Sequence, residues 1–291
     1  MLKKIKLKAY AKINLCLDII GKREDGYHLI ETLMQSVDVF DKVYVKRTNN
    51  GIISVSCDKC DIPQKSNTAY KAAKAFFEHI GAKKEFGAQI KIKKNIPSQA
   101  GMGGASADAA AVIVALNILY KTGLSNSELC TIGANVGADV PFCIYGGTCL
   151  ARGIGEILTE LPDFSGKYLV IAKGNEGVST KDAYQAIDSK KDIVKPRLNK
   201  VIDAISSQNI NALKGNLINV FEQVVDLKDV PKIAENMRQN SAIDSAMTGS
   251  GSAVFGVFNS LKTAKKCAKL LKKEYPFATV CKTVGTGVSV F

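Results

Sequence analysis

Hydrophobic and polar side chains alternate with a period of two at the start of the chain. Odd positions from Ile5 to Ile19 read Ile, Leu, Ala, Ala, Ile, Leu, Leu, Ile, and even positions from Lys4 to Asp18 read Lys, Lys, Lys, Tyr, Lys, Asn, Cys, Asp. This pattern predicts a β-strand with one buried face, and it puts Lys12 and Asn14 on the same side of that strand. Strand signals at 37–45 and 52–56 follow, joined by a turn at Asn49-Asn50-Gly51. Helical spacing covers 67–79, and alternation returns over 88–94. A loop over 96–104 leads into an alanine-rich helix at 106–121 that stops near Gly123. A second helix spans 127–136, and 143–152 reads as strand.

Pro162, Asp163 and Ser165 cluster at a weak boundary. Beyond it the spacing predicts a strand at 167–172, helices between 181 and 240, a strand at 253–258, a lysine-rich helix and a last strand at 278–283. The expectation is two α+β domains, 1–160 and 161–291, each with a mostly antiparallel sheet.

With 291 residues, 46% hydrophobic and 23% charged, the chain has ordinary globular usage and length enough for a large core without staples. The formal charge of +13 admits nucleic acid, membrane surface or anionic small molecules as partners. Lys262, Lys265, Lys266, Lys269, Lys272 and Lys273 fall on the exposed side of an amphipathic helix. The excess reads as dispersed, with no compact arginine-rich arm, so no nucleic-acid partner is expected. Cys57 and Cys60 form a lone CxxC without further ligands for zinc, and the other six cysteines read as small core residues. Free thiols fit a reducing compartment. Lys12, Asn14 and Asp18 interrupt the apolar start, so no secretion signal is read there, and no run is long enough to span a membrane. A soluble cytoplasmic protein is expected, with monomer and homodimer both open.

The chemistry begins at Pro97-Ser98-Gln99-Ala100-Gly101-Met102-Gly103-Gly104-Ala105-Ser106-Ala107. Glycines before a helix let backbone N–H groups approach an anion, and the helix start favours negative charge. Ser106 can cap the helix or donate to a phosphate. The spacing fits neither a Walker loop nor a dinucleotide fingerprint.

The pattern Pro-x3-Gly-x-Gly-Gly-x-Ser resembles the ATP-binding motif of the galactokinase, homoserine, mevalonate and phosphomevalonate (GHMP) kinase superfamily. The strand Ala11-Lys12-Ile13-Asn14-Leu15 and the loop Thr248-Gly249-Ser250-Gly251-Ser252-Ala253 are similar to its other two motifs. Departures at Ser98, Gln99, Ala100 and Ala105 leave the glycines nearest the helix in place. The resemblance implies an N-terminal S5-like domain and a C-terminal ferredoxin-like α/β domain. It also implies ATP with Mg²⁺, and residues 97–107 as the nucleotide loop.

Arg23-Glu24-Asp25-Gly26-Tyr27-His28 and Gly137-Ala138-Asp139-Val140-Pro141-Phe142 are similar to the branch that phosphorylates a hydroxyl of a cytidine diphosphate sugar alcohol. By that resemblance Asp139 is the catalytic base and Lys12 its cationic partner. Tyr27 stacks on the cytosine and His28 bonds its edge. Asn14, Thr180 and Tyr184 complete the substrate site. No acidic residue stands out as a dedicated metal ligand. Another superfamily kinase, such as homoserine kinase, and a basic nucleic-acid-binding protein with an S5-like domain are the competing readings.

Overall fold

The computed structural model describes residues 2–60, 62–190 and 192–291. The opening alternation becomes β1 (Lys4–Lys22), paired antiparallel with β2 (His28–Thr48). Register shifts after Tyr10, Asn14 and Ile19 bend this long ribbon. The strand is one-sided only as far as Tyr10; from Ala11 to Asp18 both faces are buried. There the backbone N–H groups of Lys12, Asn14 and Leu17 bond to Met102, Thr248 and Ile218, so loops from distant parts of the chain close over the even-numbered side.

β3 (Ile53–Cys57), α1 (Thr68–His79), β4 (Gly87–Lys93) and α2 (Gly104–Tyr120) come next. β2 and β3, joined by the turn at Asn49-Asn50-Gly51, do not pair with each other. β4 lies between them, antiparallel to β2 and parallel to β3. The reason is burial: Ala88, Ile90 and Ile92 give β4 a wholly apolar inner face, whereas β3 is only half-buried and takes the edge.

α2 starts two residues before the expected position, because Gly103 adopts φ +66° and serves as its N-cap. Ser106 therefore sits inside the first turn and makes no capping bond. The helix is buried nearly all round, which its alanines allow.

α3 (Asn126–Ala134) carries a capping box between Ser125 and Glu128. The stretch expected as strand over 143–152 divides into α4 (Val140–Tyr145) and β5 (Thr148–Arg152). Pro141, in the first turn of α4, presets helical φ. β6 (Ile157–Glu160) completes a seven-stranded sheet ordered β11-β1-β2-β4-β3, where β11 is Val288–Val290, with β5 on β2 and β6 on β5.

The second lobe holds β7 (Tyr168–Lys173), α5 (Thr180–Asp188), α6 (Leu198–Ser206), α7 (Asp229–Gln239), β8 (Asp244–Met247), β9 (Val254–Phe258), α8 (Leu261–Glu274) and β10 (Phe277–Lys282). Its four strands are antiparallel in the order β10-β7-β9-β8. On one face, Val170, Ala172 and Val254 pack with Ile233, Met237, Cys267 and Leu271 of α7 and α8. On the other, Leu169, Ile171 and Val257 join the core of the first lobe. The α8 lysines are all exposed, as their spacing requires.

The last strand, β11 (Val288–Val290), returns to pair with Leu7–Ala9 of β1. The two crossings between the lobes lie side by side. Gly166 N–H donates to Thr283 O, Lys167 N–H to Thr283 Oγ1, and that hydroxyl to Phe164 O.

The cysteines depart from the expected free thiols at one place. The turn after β3 brings Cys57 and Cys60 to a Cα–Cα distance of 5.4 Å, and they form a disulfide. The other six are free, and all but Cys130 are buried. Among the described residues, no helix is long and apolar enough to cross a membrane.

Candidate active site

Three segments far apart in sequence meet between the lobes. Gly101 adopts φ +69°, and a Cβ there would stand 2.0 Å from Thr248 O. A Cβ on Gly249 would be 2.9 Å from Gly101 Cα, so the two glycine loops touch backbone to backbone. Ser252 N–H and Ala253 N–H donate to Gln99 O and Ala100 O, tying the loops together. Thr248 Oγ1 accepts from Asn14 N–H at 2.9 Å, which adds β1 to the junction.

The loop ends at the start of α2, where intrahelical bonding begins with Ala107 N–H to Gly103 O. The N–H groups of Gly104, Ala105 and Ser106 thus precede the helical ladder, as at any helix start. They open on a cleft of about 1080 Å³. Pro97 through Ser106 line this cleft, whereas Ala107 is fully buried behind it.

Lys12 and Asn14 do share one face. Lys12 Nζ donates to Asn14 Oδ1 at 2.8 Å and lies 3.5 Å from Asp139 Oδ2. A relay fixes the orientation of the Asn14 amide. Thr32 Oγ1 donates to Cys16 O, so it must accept from Asn14 Nδ2, and this leaves Asn14 Oδ1 turned to Lys12. Lys12 is 4% exposed, so its charge needs these partners. Asp139 sits at the mouth of α4 with its side chain 31% exposed, between the buried ammonium and the cleft. Gly103 faces the same pair: a Cβ there would be 3.0 Å from Lys12 Cγ.

On the far wall, the His28 ring stacks on Tyr184 at 4.7 Å, and Tyr184 meets Phe221 edge-on at 4.9 Å. His28 Nε2 is engaged by Asp188 Oδ1 at 2.6 Å. Burial, with the Asp139 charge nearby, pushes the Tyr184 hydroxyl up to about 12, so it stays neutral. Tyr27 is 60% exposed at the rim. Thr180, the first residue of α5, meets Ser250 of the third loop at 3.3 Å, nearer the glycine loops than the aromatic wall.

Sequence reasoning missed a buried cluster beneath α2. Lys94 Nζ bonds Asp41 Oδ2 and, at 2.7 Å, Asp108 Oδ2. Asp41 also accepts from the N–H groups of Asn95 and Ile96, pinning the entry to the loop. A signal was present: Asp41 interrupts the buried odd-numbered series Val37, Val39, Val43, Val45, and Asp108 interrupts a run of alanines. Burial works against the Lys94 charge, but the two carboxylates outweigh it and raise its pKa.

Burial pushes the Asp108 carboxyl up to about 7, against the pull of Lys94, and its Oδ1 has no partner. The folded state therefore holds a proton that the unfolded chain releases near the ordinary carboxylate pKa. Stability from this group is present below that value and is lost as pH rises towards about 7. Denaturant unfolding of wild type and Asp108→Asn should show the wild type losing ground to the variant across that window; parallel pH profiles would refute the assignment.

The residues at the cleft fit a nucleotide, since the loop over 97–106 lines it and the N–H groups at the start of α2 precede the helical ladder. Among the described residues no group of three acidic, histidine or cysteine side chains could hold a metal by itself.

Residues 67–147 match the GHMP kinases N terminal domain, and residues 222–276 the GHMP kinases C terminal domain. The fold and the converging loops thus define a GHMP-type kinase. The chain is 44% identical over 281 residues to a 4-diphosphocytidyl-2-C-methyl-D-erythritol kinase of Clostridium botulinum (strain Eklund 17B / Type B), covering 96% of this chain and 99% of that one. A crystal structure of 4-(cytidine 5'-diphospho)-2C-methyl-D-erythritol kinase superposes with TM-score 0.82 at 28% identity, over 97% of this chain and 100% of that one. Homoserine kinase from Cytophaga hutchinsonii shares the fold, with TM-score 0.78 at 18% identity over 100% and 98% of the two chains. The chain belongs to the 4-diphosphocytidyl-2-C-methyl-D-erythritol kinase family.

Proposed function

We propose that the chain transfers the γ-phosphoryl group of ATP to the 2-hydroxyl of 4-diphosphocytidyl-2-C-methyl-D-erythritol, in the non-mevalonate route to isoprenoid precursors. The observation that carries this reading is the Lys12–Asp139 pair, 3.5 Å apart and facing the glycine loop across one cleft. In this reading the loop over 97–106 and the start of α2 hold the ATP phosphates. Asp139 accepts the proton of the substrate hydroxyl, the freed oxygen attacks the γ-phosphorus, and ADP leaves. Lys12, 3.5 Å from Asp139, offsets charge that develops on the transferred group. Mg²⁺ is proposed to arrive on the nucleotide's phosphates, where it neutralises charge.

The aromatic wall is proposed to hold the cytosine, with Tyr184 and the His28 ring on one side and Tyr27 closing from the rim. Because His28 is already stacked on Tyr184 and bonded to Asp188, the base sits against this pair rather than within it. Asn14 is assigned to the methylerythritol end and Thr180 to the diphosphate. A coupled ADP-release assay with this substrate, homoserine and mevalonate tests the reading. Turnover is expected with the first alone, and its absence would overturn the proposal. Tyr184→Ala should raise KM for the cytidine substrate by roughly tenfold, as expected for one lost stacking surface, and leave KM for ATP unchanged.

A further inference from the structure

The lysines of β1 have two fates. Lys12 lies under the glycine loops, whereas Lys4, Lys6 and Lys8 stand on a stretch of sheet that nothing among the described residues covers. The register then stacks further lysines beside them. Lys4 faces Lys46, Lys8 faces Lys42, and Lys42 faces Lys93, while Lys91 faces Tyr44. Seven lysines that look dispersed in the sequence thus share one face, and all but Lys8 are exposed. Like charges directly opposite one another destabilise an antiparallel pair. None of the seven forms an ion pair among the described residues. Among the described residues, no carboxylate pairs with these lysines to offset the repulsion.

Aromatic rings sit between the cations. Lys8 Nζ is 4.7 Å from the Phe40 ring and 5.9 Å from that of Phe291, and Lys6 is 5.9 Å from Tyr44. Tyr10, Phe40 and Tyr44 are half-buried and Phe291 is 47% exposed, so part of each ring remains open to solvent beside the lysines. A groove of about 440 Å³ runs across the strands, and it also presents Ser56 and Gln89.

We propose that this face binds single-stranded RNA. Lysines recur about 6.6 Å apart along a strand and about 4.8 Å apart across strands, giving a grid of cations for successive phosphates. The interleaved rings suit bases, which stack on aromatic side chains. Ser56 and Gln89 offer partners for ribose hydroxyls. An acidic peptide would use the lysines and leave the rings idle. A lipid surface would call for a broad apolar patch, whereas Tyr10, Phe40 and Tyr44 are half-buried among the lysines and Phe291, 47% exposed, stands at one edge. The face is separate from the cleft, so this inference does not depend on the kinase reading.

Fluorescence anisotropy with a labelled pyrimidine-rich RNA oligomer tests it. With about four phosphates engaged, affinity should fall roughly 50-fold between about 50 and 200 mM salt. The triple variant Lys6→Glu, Lys46→Glu, Lys91→Glu should lose at least ~10-fold in affinity at low salt. It should keep kinase activity and melt no lower than wild type, since Lys46→Glu removes a repulsion with Lys4. A single variant, Lys91→Ala, gives a milder check if the triple variant does not fold. Absence of RNA binding would overturn the proposal, as would equal binding by the variants. Equal binding of the matching DNA oligomer, of polyglutamate or of phosphatidylserine vesicles would also overturn it.

Discussion

Asp139→Asn is expected to lower kcat by at least ~10²-fold while ATP still binds, the range for losing a general base. The substitution keeps shape and removes the carboxylate's charge and with it the capacity to accept a proton. Lys12 retains its 2.8 Å bond to Asn14 Oδ1, so the buried ammonium is not stranded and the fold should hold. Steady-state turnover, read beside calorimetric ATP affinity, separates the roles. If kcat stays within a few-fold of wild type, Asp139 is not the base. Lys12→Ala should cost a similar factor in kcat by a different route, since it removes the positive charge beside the reacting groups.

Gly101→Val is expected to be more damaging to the molecule as a whole. The position needs φ +69°, and an added Cβ would lie 2.0 Å from Thr248 O, so the backbones of two loops must separate. Strain in the left-handed region and overpacking together cost about 2–6 kcal/mol. A melting temperature lower by several degrees should accompany a loss of ATP affinity. The two losses should appear together, because the same contact shapes the phosphate loop and joins the lobes. A variant with normal stability and normal ATP binding would show that the loops need not touch.

Much of this site could be read from local pattern. Period-two alternation placed Lys12 and Asn14 side by side, and the glycines before an alanine helix marked the phosphate loop. What stayed hidden depends on partners distant in sequence. Nothing near residue 41 announces that its carboxylate meets Lys94 and Asp108, because that triad forms only when β2, β4 and α2 pack together. The β3–β4 pairing was hidden for the same reason, since a turn fixes chain direction and burial decides which strand takes the edge. β8, the four residues Asp244–Met247, is buried throughout and shows no alternation to find. The pairing of His28 with Tyr184 joins residues 156 positions apart in the chain, so no window of sequence contains it. The basic face was illegible for a related reason: β1, β2 and β4 each contribute a few lysines, and only their register makes them neighbours.

The doubled crossing between the lobes has a mechanical consequence. A single peptide link acts as a ball joint, free to bend and to twist. Here two segments run together and are laced by Thr283, whose hydroxyl and carbonyl bond the opposite segment. Such a strap bends easily about one line and resists torsion. That resistance keeps Gly101 and Gly249 from slipping sideways past each other, together with the backbone bonds from Ser252 and Ala253 that tie the two loops.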